Sequence, residues 1–295
     1  LTTVHFGALS VAAARAFVKA PQVRFVRELF LGGDWGHVEE FEPGPDIPDD
    51  ADEDEAALHV LLRWPHLRNI RRFQLGWLAN EEYGDFCHFQ CHLGGRLLDD
   101  FVKQMPNVEE LLVFAHFDDI EKLVARPMPR LRVLQLYHGW SYPLERLARN
   151  ATLTKLTHLL CHPHALDYGA QPYISLADLR AVCRSQHLTS LTHLRLRLTN
   201  FGDDGAKVIV ESGILKRLKV LDLRHGAITD RGAGLLAACP DLRNLELLDL
   251  SRNALTEVGI AALRTTTIPV QLDHQHAADA EETGQREYLF EGDYE

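Results

Sequence analysis

Two short clusters hold the side chains best suited to coordinating a metal. Cys87-His88-Phe89-Gln90-Cys91-His92 and Cys161-His162-Pro163-His164 each bring thiols and imidazoles together within a few residues. Zinc takes about four such donors in a tetrahedron. The first cluster lacks Cys-x2-Cys spacing, and the two lie far apart in the chain. A loop histidine beside an apolar strand more often serves as a hydrogen-bonding group. A metal-binding or hydrolytic module on these Cys/His loops is therefore the alternative reading, and no cofactor is expected. The chain also lacks the G-x-x-x-x-G-K, H-E-x-x-H and G-x-S-x-G patterns of phosphate binding, zinc proteolysis and serine hydrolysis. With 16 histidines, a triad could be picked from such a chain by chance. The expectation is a protein that is not an enzyme.

The remaining chemistry is recognition, and it depends on what positions the side chains. From Leu191 to Leu263 one pattern recurs three times, with Leu194, Leu221 and Leu248 spaced 27 residues apart. Each copy reads L-x-x-L-x-L, then a polar turn, then Thr-Asp/Glu-x-Gly or its equivalent, then small apolar residues. A fixed period of this size means a solenoid, and L-x-x-L-x-L-x-x-N is the leucine-rich repeat signature. The L-x-L piece is a short strand, so Leu221 and Leu223 point inward while Val220, Asp222 and Arg224 point outward. Asn253 stands at the signature asparagine, where its amide can bond backbone groups left open as the chain leaves the strand. Gly226 and Thr199 hold that position in the other two copies. Thr229 and Thr256 read as helix N-caps, with Asp230 and Glu257 in the first turn, where the helix dipole favours an anion.

Earlier repeats are less regular. A helix is expected over Val11–Val18 and a first strand over Val23–Leu31, with Leu29 and Leu31 as its L-x-L pair and Phe30 between them. Residues 34–56 form an acidic insert expected to be extended or disordered, since its composition cannot supply a core. A short helix over Ala56–Trp64 precedes the second repeat, Leu67–Leu75. Residues 76–95 break the period with the Cys/His/aromatic insert, and a helix follows over Leu97–Met105. Strands then end at Val113, Leu136 and Cys161, with shorter spacings of 23 and 25 residues and correspondingly short helices over Ile120–Val124 and Leu144–Ala148. A longer loop over Leu166–Ser175 leads to a helix over Leu176–Cys183. Pro269–Leu272 reads as a last, unpaired strand, giving eight strands plus one. The fold class is α/β: a horseshoe with a parallel concave sheet and convex helices. Residues 1–272 form the repeat domain and 273–295 an acidic tail.

The period makes the concave face readable. The outward positions beside each L-x-L bring Arg72, Phe114, Tyr137, His162, Arg195, Arg197, Asp222 and Arg224 onto one surface, and these are the candidate partner-binding residues. Aromatic, His and Arg side chains suit a binding surface. The plainer alternative is a solvated sheet face, with any binding done by the loops of one rim.

The net charge of −11 is unevenly spread. Glu28–Leu62 holds 12 acids and no Lys or Arg, and Asp273–Glu295 holds eight acids and one Arg, leaving a mildly basic body. The acidic ends act as solvated caps or, in the sharper reading, shield the basic concave face. The Arg195/Arg197/Arg224 group could meet phosphates, but the overall acidity and the lack of Lys clusters argue against nucleic acid. No apolar run is long enough to span a membrane. Five cysteines, an odd number, read as free thiols of a reducing cytoplasm.

The repeats at 221–226 (Leu-Asp-Leu-Arg-His-Gly) and 248–253 (Leu-Asp-Leu-Ser-Arg-Asn) resemble bacterial leucine-rich repeat proteins of the ribonuclease-inhibitor type. Phe41–Asp46, Leu62–Leu67, Leu134–Trp140 and Glu291–Glu295 are similar to a planctomycete-type subgroup often accompanied by a short "repeat-companion" domain. That domain is not in this chain, and the place left for it is upstream of Leu1, which would make the chain a regulatory segment of a longer polypeptide. The resemblance implies an intracellular interaction role, as scaffold, adaptor or sensor, and brings no catalytic residues with it.

Overall fold

The computed structural model describes residues 2–7, 9–32, 36–38, 53–76, 91–93, 95–163 and 173–276. Ten strands run parallel in one open sheet: β1 (Thr3–Phe6), β2 (Glu28–Leu31), β4 (Arg72–Leu75), β6 (Glu110–Phe117), β7 (Val133–Gly139), β8 (His158–His162), β9 (His193–Leu196), β10 (Val220–Asp222), β11 (Leu247–Asp249) and β12 (Val270–Gln271). Between them run α1 (Val11–Lys19), α2 (Glu53–Leu62), α3 (Gly95–Gln104), α4 (Glu121–Ala125), α5 (Leu144–Ala148), α6 (Leu176–Arg184), α7 (Gly202–Ser212), α8 (Asp230–Ala237) and α9 (Glu257–Arg264). Helices of neighbouring repeats pack on one another along the other side of the core.

The L-x-L pairs lie in register. Leu29, Phe73, Leu111, Leu134, Leu159, Leu194, Leu221 and Leu248 are cross-strand neighbours in one unbroken row. All are at most 1% exposed, as are their partners two residues on, from Leu31 to Leu250. No single repeat could bury this ladder; stacking does it. The chain then leaves the strand through a left-handed residue at a fixed place. Leu198, His225 and Arg252, spaced at the repeat length, have φ of 49°, 54° and 55°, and His138 has 61°.

The structure corrects the sequence reading in five places. The sheet begins one strand earlier, at β1, which pairs with β2. The segment Val23–Leu31 is not strand throughout: Pro21–Phe25 forms a 3-10 turn, and the strand starts at Glu28. The last strand is paired, with Leu248 beside Val270. The acidic insert contains a strand, β3 (Gly36–Val38), and the Cys/His insert contains another, β5 (Cys91–Leu93). These two pair in parallel, and β5 joins the far half of β6 at His116. Helix α2 also begins within the acidic insert, at Glu53. Residues 39–52, most of the Leu166–Ser175 loop and the tail beyond residue 276 lie outside the described residues.

The Thr-Asp/Glu-x-Gly turn does more than cap a helix. Thr229 and Thr256 are side-chain N-caps of α8 and α9. The preceding repeat's aspartate fixes each of them. Asp203 accepts from the Thr229 amide (3.0 Å), the Gly232 amide (2.9 Å) and the Thr229 hydroxyl (2.8 Å). Asp230 repeats this one turn on with Thr256 and Gly259. The glycines are required: a Cβ on Gly232 or Gly259 would stand 2.5 or 2.4 Å from that carboxylate. Desolvation works against the Asp230 carboxylate, but the bonds from Thr256 and Gly259 outweigh it and lower its pKa. Asp230→Ala should cost about 1–2 kcal/mol, the scale of a lost helix cap. The check is a urea midpoint. Because the folded pKa is depressed, the contribution of Asp230 is present above the ordinary 3.8 and fades as pH falls below it.

Candidate functional site

Strand alternation carries the side chains between the leucines to the face opposite the helices. They form three cross-strand rows. The first holds Arg72, Glu110, Val133, His158, His193 and Val220. The second runs Gln74, Leu112, Gln135, Leu160, Arg195, Asp222, Asp249. In the third, Phe114 neighbours Tyr137 and Tyr137 neighbours His162. Arg197 follows His162, its amide bonded to the Cys161 carbonyl of β8.

The centre of this face is apolar. Leu112, Phe114, Tyr137 and Leu160 form a cluster separate from the main core. Phe114 and Tyr137 have ring centroids 4.8 Å apart, and Tyr137 stacks on His162 at 5.3 Å. Towards β10 the face becomes ionic. Arg197 holds Asp222 through Nη2 (2.9 Å) and Nε (3.0 Å), and Arg224 bridges Asp222 (3.3 Å) and Asp249 (3.2 Å). At the other end, Arg72 lies 5.2 Å over the Phe30 ring, and His5 stacks on Phe30 at 4.1 Å. His5 was not expected here, because β1 has no L-x-x-L to announce it; Phe30 stands between Leu29 and Leu31 of β2, where alternation does put it on this face, and it was not singled out.

All eight expected residues lie on this face, but they do not form a uniformly solvated surface. Phe114, Tyr137, His162, Arg197 and Asp222 are 3–7% exposed. Arg72 and Arg224 keep 41% and 21% of their side-chain surface. Arg195 is half-buried. Period and alternation assign a side chain to a face; its burial depends on what packs around it.

The Cys161-His162 pair cannot act as one metal cluster. Successive strand residues face opposite ways, so Cys161 sits in the main core and His162 on the open face. Burial pushes the Cys161 thiol far above its usual range, and that of Cys183 up to about 12, which keeps both protonated. Cys161, Cys183 and Cys239 are free thiols. Among the described residues no group of three or more His, Cys, Asp or Glu could hold a metal. Residues 87–90 and His164 lie outside the described residues.

Burial and neighbouring cations shape the titration of this face. His162 is held well below the ordinary 6.5, first by burial, then by Arg197, His138 and His225. His158 and His193, stacked at 3.8 Å, are each lowered by burial, and further by nearby charges including Arg195. For all three, the unfolded chain binds protons more readily than the folded one. Stability should therefore fall as pH drops below about 6.5. Burial raises Asp222 to about 6 against the pull of Arg197, and this single group works in the opposite direction below pH 6. Three histidines against one carboxyl predict a lower urea midpoint at pH 5.5 than at 7.5, with the dependence flattened in His162→Asn.

The leucine-rich repeat family model matches residues 187–210, 217–237 and 241–263. These are the three regular repeats ending in α7, α8 and α9, and with the in-register ladder they decide the architecture. The fold is a leucine-rich repeat solenoid. A Bacteroides fragilis protein of known crystal structure has a similar fold, with a TM-score of 0.60 at 15% identity over 94% of this chain and 72% of its own. The solenoid also aligns, at a TM-score of 0.44 in each case, with a TDR receptor (15% identity, 86% of this chain, 40% of the receptor). The second such alignment is with a Listeria monocytogenes internalin (14% identity, 86% of this chain, 68% of the internalin). No curated protein matches the sequence. No described helix of the solenoid is long and apolar enough to cross a membrane.

Proposed function

We propose that this chain is a non-enzymatic protein-interaction module, a scaffold, adaptor or sensor, whose partner docks on the open face of the sheet. One observation carries the reading. An apolar and aromatic cluster in the middle of that face is flanked by an Arg/Asp network on one side and an Arg/aromatic patch on the other. Solenoids offer extended surfaces of this kind, and binding hot spots favour aromatic and Arg side chains ringed by polar ones. The partner is a protein segment with apolar anchors and acidic groups. Free, buried thiols at Cys161 and Cys183 support a reducing compartment such as the cytoplasm.

The Arg195 side chain is the cleanest probe. It is half-buried, and no ion pair among the described residues involves it. Tyr137 is a poorer choice, because removing it also opens the apolar cluster. Arg195→Gln should weaken partner capture about tenfold, or roughly 1.4 kcal/mol, while leaving the urea midpoint nearly unchanged, since a neutral side chain sets no second carboxylate beside Asp222. The measurement is affinity capture from the native host's lysate, wild type beside variant, with quantitative mass spectrometry. A partner kept equally by both would move the site off this face.

A further inference from the structure

The turns that lead into the strands form a rim of their own, and its charged side chains are mostly cationic. Each turn lies between the end of one helix and the start of the next strand. Arg24 and Arg27 precede β2, Arg68 and Arg71 precede β4, and Arg130 and Arg132 precede β7. Lys155 precedes β8, Lys216, Arg217 and Lys219 precede β10, and Arg243 precedes β11. Against these eleven cations the same turns (21–27, 65–71, 106–109, 127–132, 150–157, 185–192, 213–219 and 240–246) hold three acids, Glu109, Asp241 and Glu246. The chain as a whole has a net charge of −11, so the rim is a local reversal of sign.

Stacking makes the rim continuous. The Arg71 amide donates to the Arg27 carbonyl (2.7 Å), that of Glu109 to Arg71 (2.6 Å) and that of Arg132 to Glu109 (2.7 Å). The same bond recurs through Thr157, Thr192 and Lys219 to Glu246. Equivalent residues therefore lie one strand spacing apart, roughly 4.8 Å, and the eight turns span about 34 Å. Cations scattered along the sequence become one surface, which is why no cluster of Lys or Arg shows in the sequence itself.

Two ordinary causes account for only part of this charge. Helix C-termini favour nearby cations, because each carries about half a negative charge. Eight helices, α1 to α8, end before these turns. They would be matched by about four cations, fewer than the excess of eight over the acids. The effect also fades within the last helical turn, whereas Arg24 and Arg27 lie five and eight residues beyond Lys19, the end of α1. Internal ion pairs are the second cause. Arg71 meets Glu109 at 3.4 Å, and Lys219 meets Glu246 at 3.2 Å. Arg68, Arg130, Arg132, Lys155, Lys216 and Arg243 are exposed and make no ion pair or side-chain hydrogen bond among the described residues.

The layout selects among polyanions. The turn before β6 has Glu109 and no cation, and the turn before β9 has neither Lys nor Arg, but Thr189, Ser190 and Thr192. The cations thus fall into three groups, each two strand spacings, about 10 Å, from the next. A nucleic-acid backbone carries charge on every unit and would set phosphates against Glu109. Sequence-tolerant binding of single strands also uses successive aromatic platforms, and Phe25 is the one Phe, Tyr or Trp in these turns. An extended polypeptide can set acids opposite the three groups and neutral residues between them, and its carboxylates match the Arg fork.

We propose that this rim is a docking surface for an extended acidic protein segment of about ten residues, the length that about 34 Å allows at roughly 3.3 Å per residue. It borders the open face of the sheet but does not depend on it.

The test titrates a fluorescein-labelled (Glu-Glu-Ser)5 peptide with the full chain and follows fluorescence anisotropy. Binding is expected at about 50 mM salt and should be several-fold weaker at about 200 mM, because salt screens exposed charges. Arg130→Gln/Arg132→Gln/Lys155→Gln should weaken it about tenfold. Lys122→Gln/Arg180→Gln/Lys207→Gln removes the same charge from exposed sites on α4, α6 and α7 and should leave binding nearly unchanged, as should Arg195→Gln on the open face. Four results overturn the proposal: no binding at the lower salt, equal binding by the rim variant, an equal loss in the helix variant or in Arg195→Gln, or tighter binding of a single-stranded oligonucleotide of equal length or of phosphatidylserine vesicles than of the peptide. Should the triple rim variant fail to fold, Lys216→Gln/Arg243→Gln puts the same question to the other end of the rim.

Discussion

Replacing Asn253 with alanine will destabilise the protein by about 3–5 kcal/mol, the upper range for breaking a buried polar network. Asn253 is fully buried. Its Oδ1 accepts from the amides of Gly226 (3.1 Å) and Ile228 (2.9 Å) in the preceding repeat. Its Nδ2 faces the carbonyls of Leu223 (2.9 Å), Leu250 (3.0 Å) and Ser251 (3.2 Å). One side chain thus satisfies backbone groups of two repeats at the place where both chains turn out of the sheet. Alanine would leave five polar groups without that partner and a void where the amide had been. Because the other two regular repeats carry Gly226 and Thr199 at this position, no second asparagine shares the load. Asn253→Asp sharpens the test. A carboxylate can still accept from the two amides but repels the three carbonyls, so this variant should be weak at neutral pH and recover partly in acid, as the carboxyl gains a proton to donate. A urea midpoint for Asn253→Ala within about 1 kcal/mol of wild type would mean the turn is held by something else.

The solenoid was legible wherever one repeat states its own rule. The 27-residue spacing, the L-x-L pairs, the Thr caps and Asn253 all act within a repeat or on an identical neighbour, and each appears in the structure where the sequence puts it. What failed to show were features made by two unlike pieces of chain. Strand β1 offers only Val4 and Phe6 to the core, without the L-x-x-L that marks a repeat, and is recognisable only once β2 is beside it. Strands β3 and β5 are three residues each, separated by more than fifty positions, and pair only with each other and with β6. Asp230 looked like a helix-dipole partner because a single sequence shows its own helix; its bonds, like those of Asp203, go to the next one. On the open face, alternation gave the side of the sheet for each residue and left its burial unread. Alternation puts Phe114, Tyr137 and His162 on one side of the sheet, but no local pattern encodes how deeply each is buried.

Arg197 shows most plainly how this burial changes the meaning of a residue. Read as a recognition residue, Arg197→Met should weaken partner capture and leave stability alone. The structure predicts the reverse order of effects. Arg197 is 6% exposed and holds Asp222, itself 3% exposed, through two nitrogens. Removing one partner of a buried pair leaves the other charge stranded, at a cost of about 3–5 kcal/mol. Arg224 remains 3.3 Å from Asp222 and should hold the loss near the lower end of that range. The pH dependence identifies the cause. Burial already raises the Asp222 carboxyl to about 6, with Arg197 pulling it down, so the variant's carboxyl must rise further. A carboxyl whose folded pKa lies above its unfolded value costs stability when ionised, above the folded pKa, and that cost is relieved as pH falls through it. The difference between wild type and Arg197→Met should therefore be largest near pH 8 and shrink towards pH 5. In Arg197→Met/Asp222→Leu, where neither charge is left, much of the loss should be recovered at every pH. A pH-independent difference would mean that Arg197 stabilises through packing of its stem, not through the carboxylate it holds.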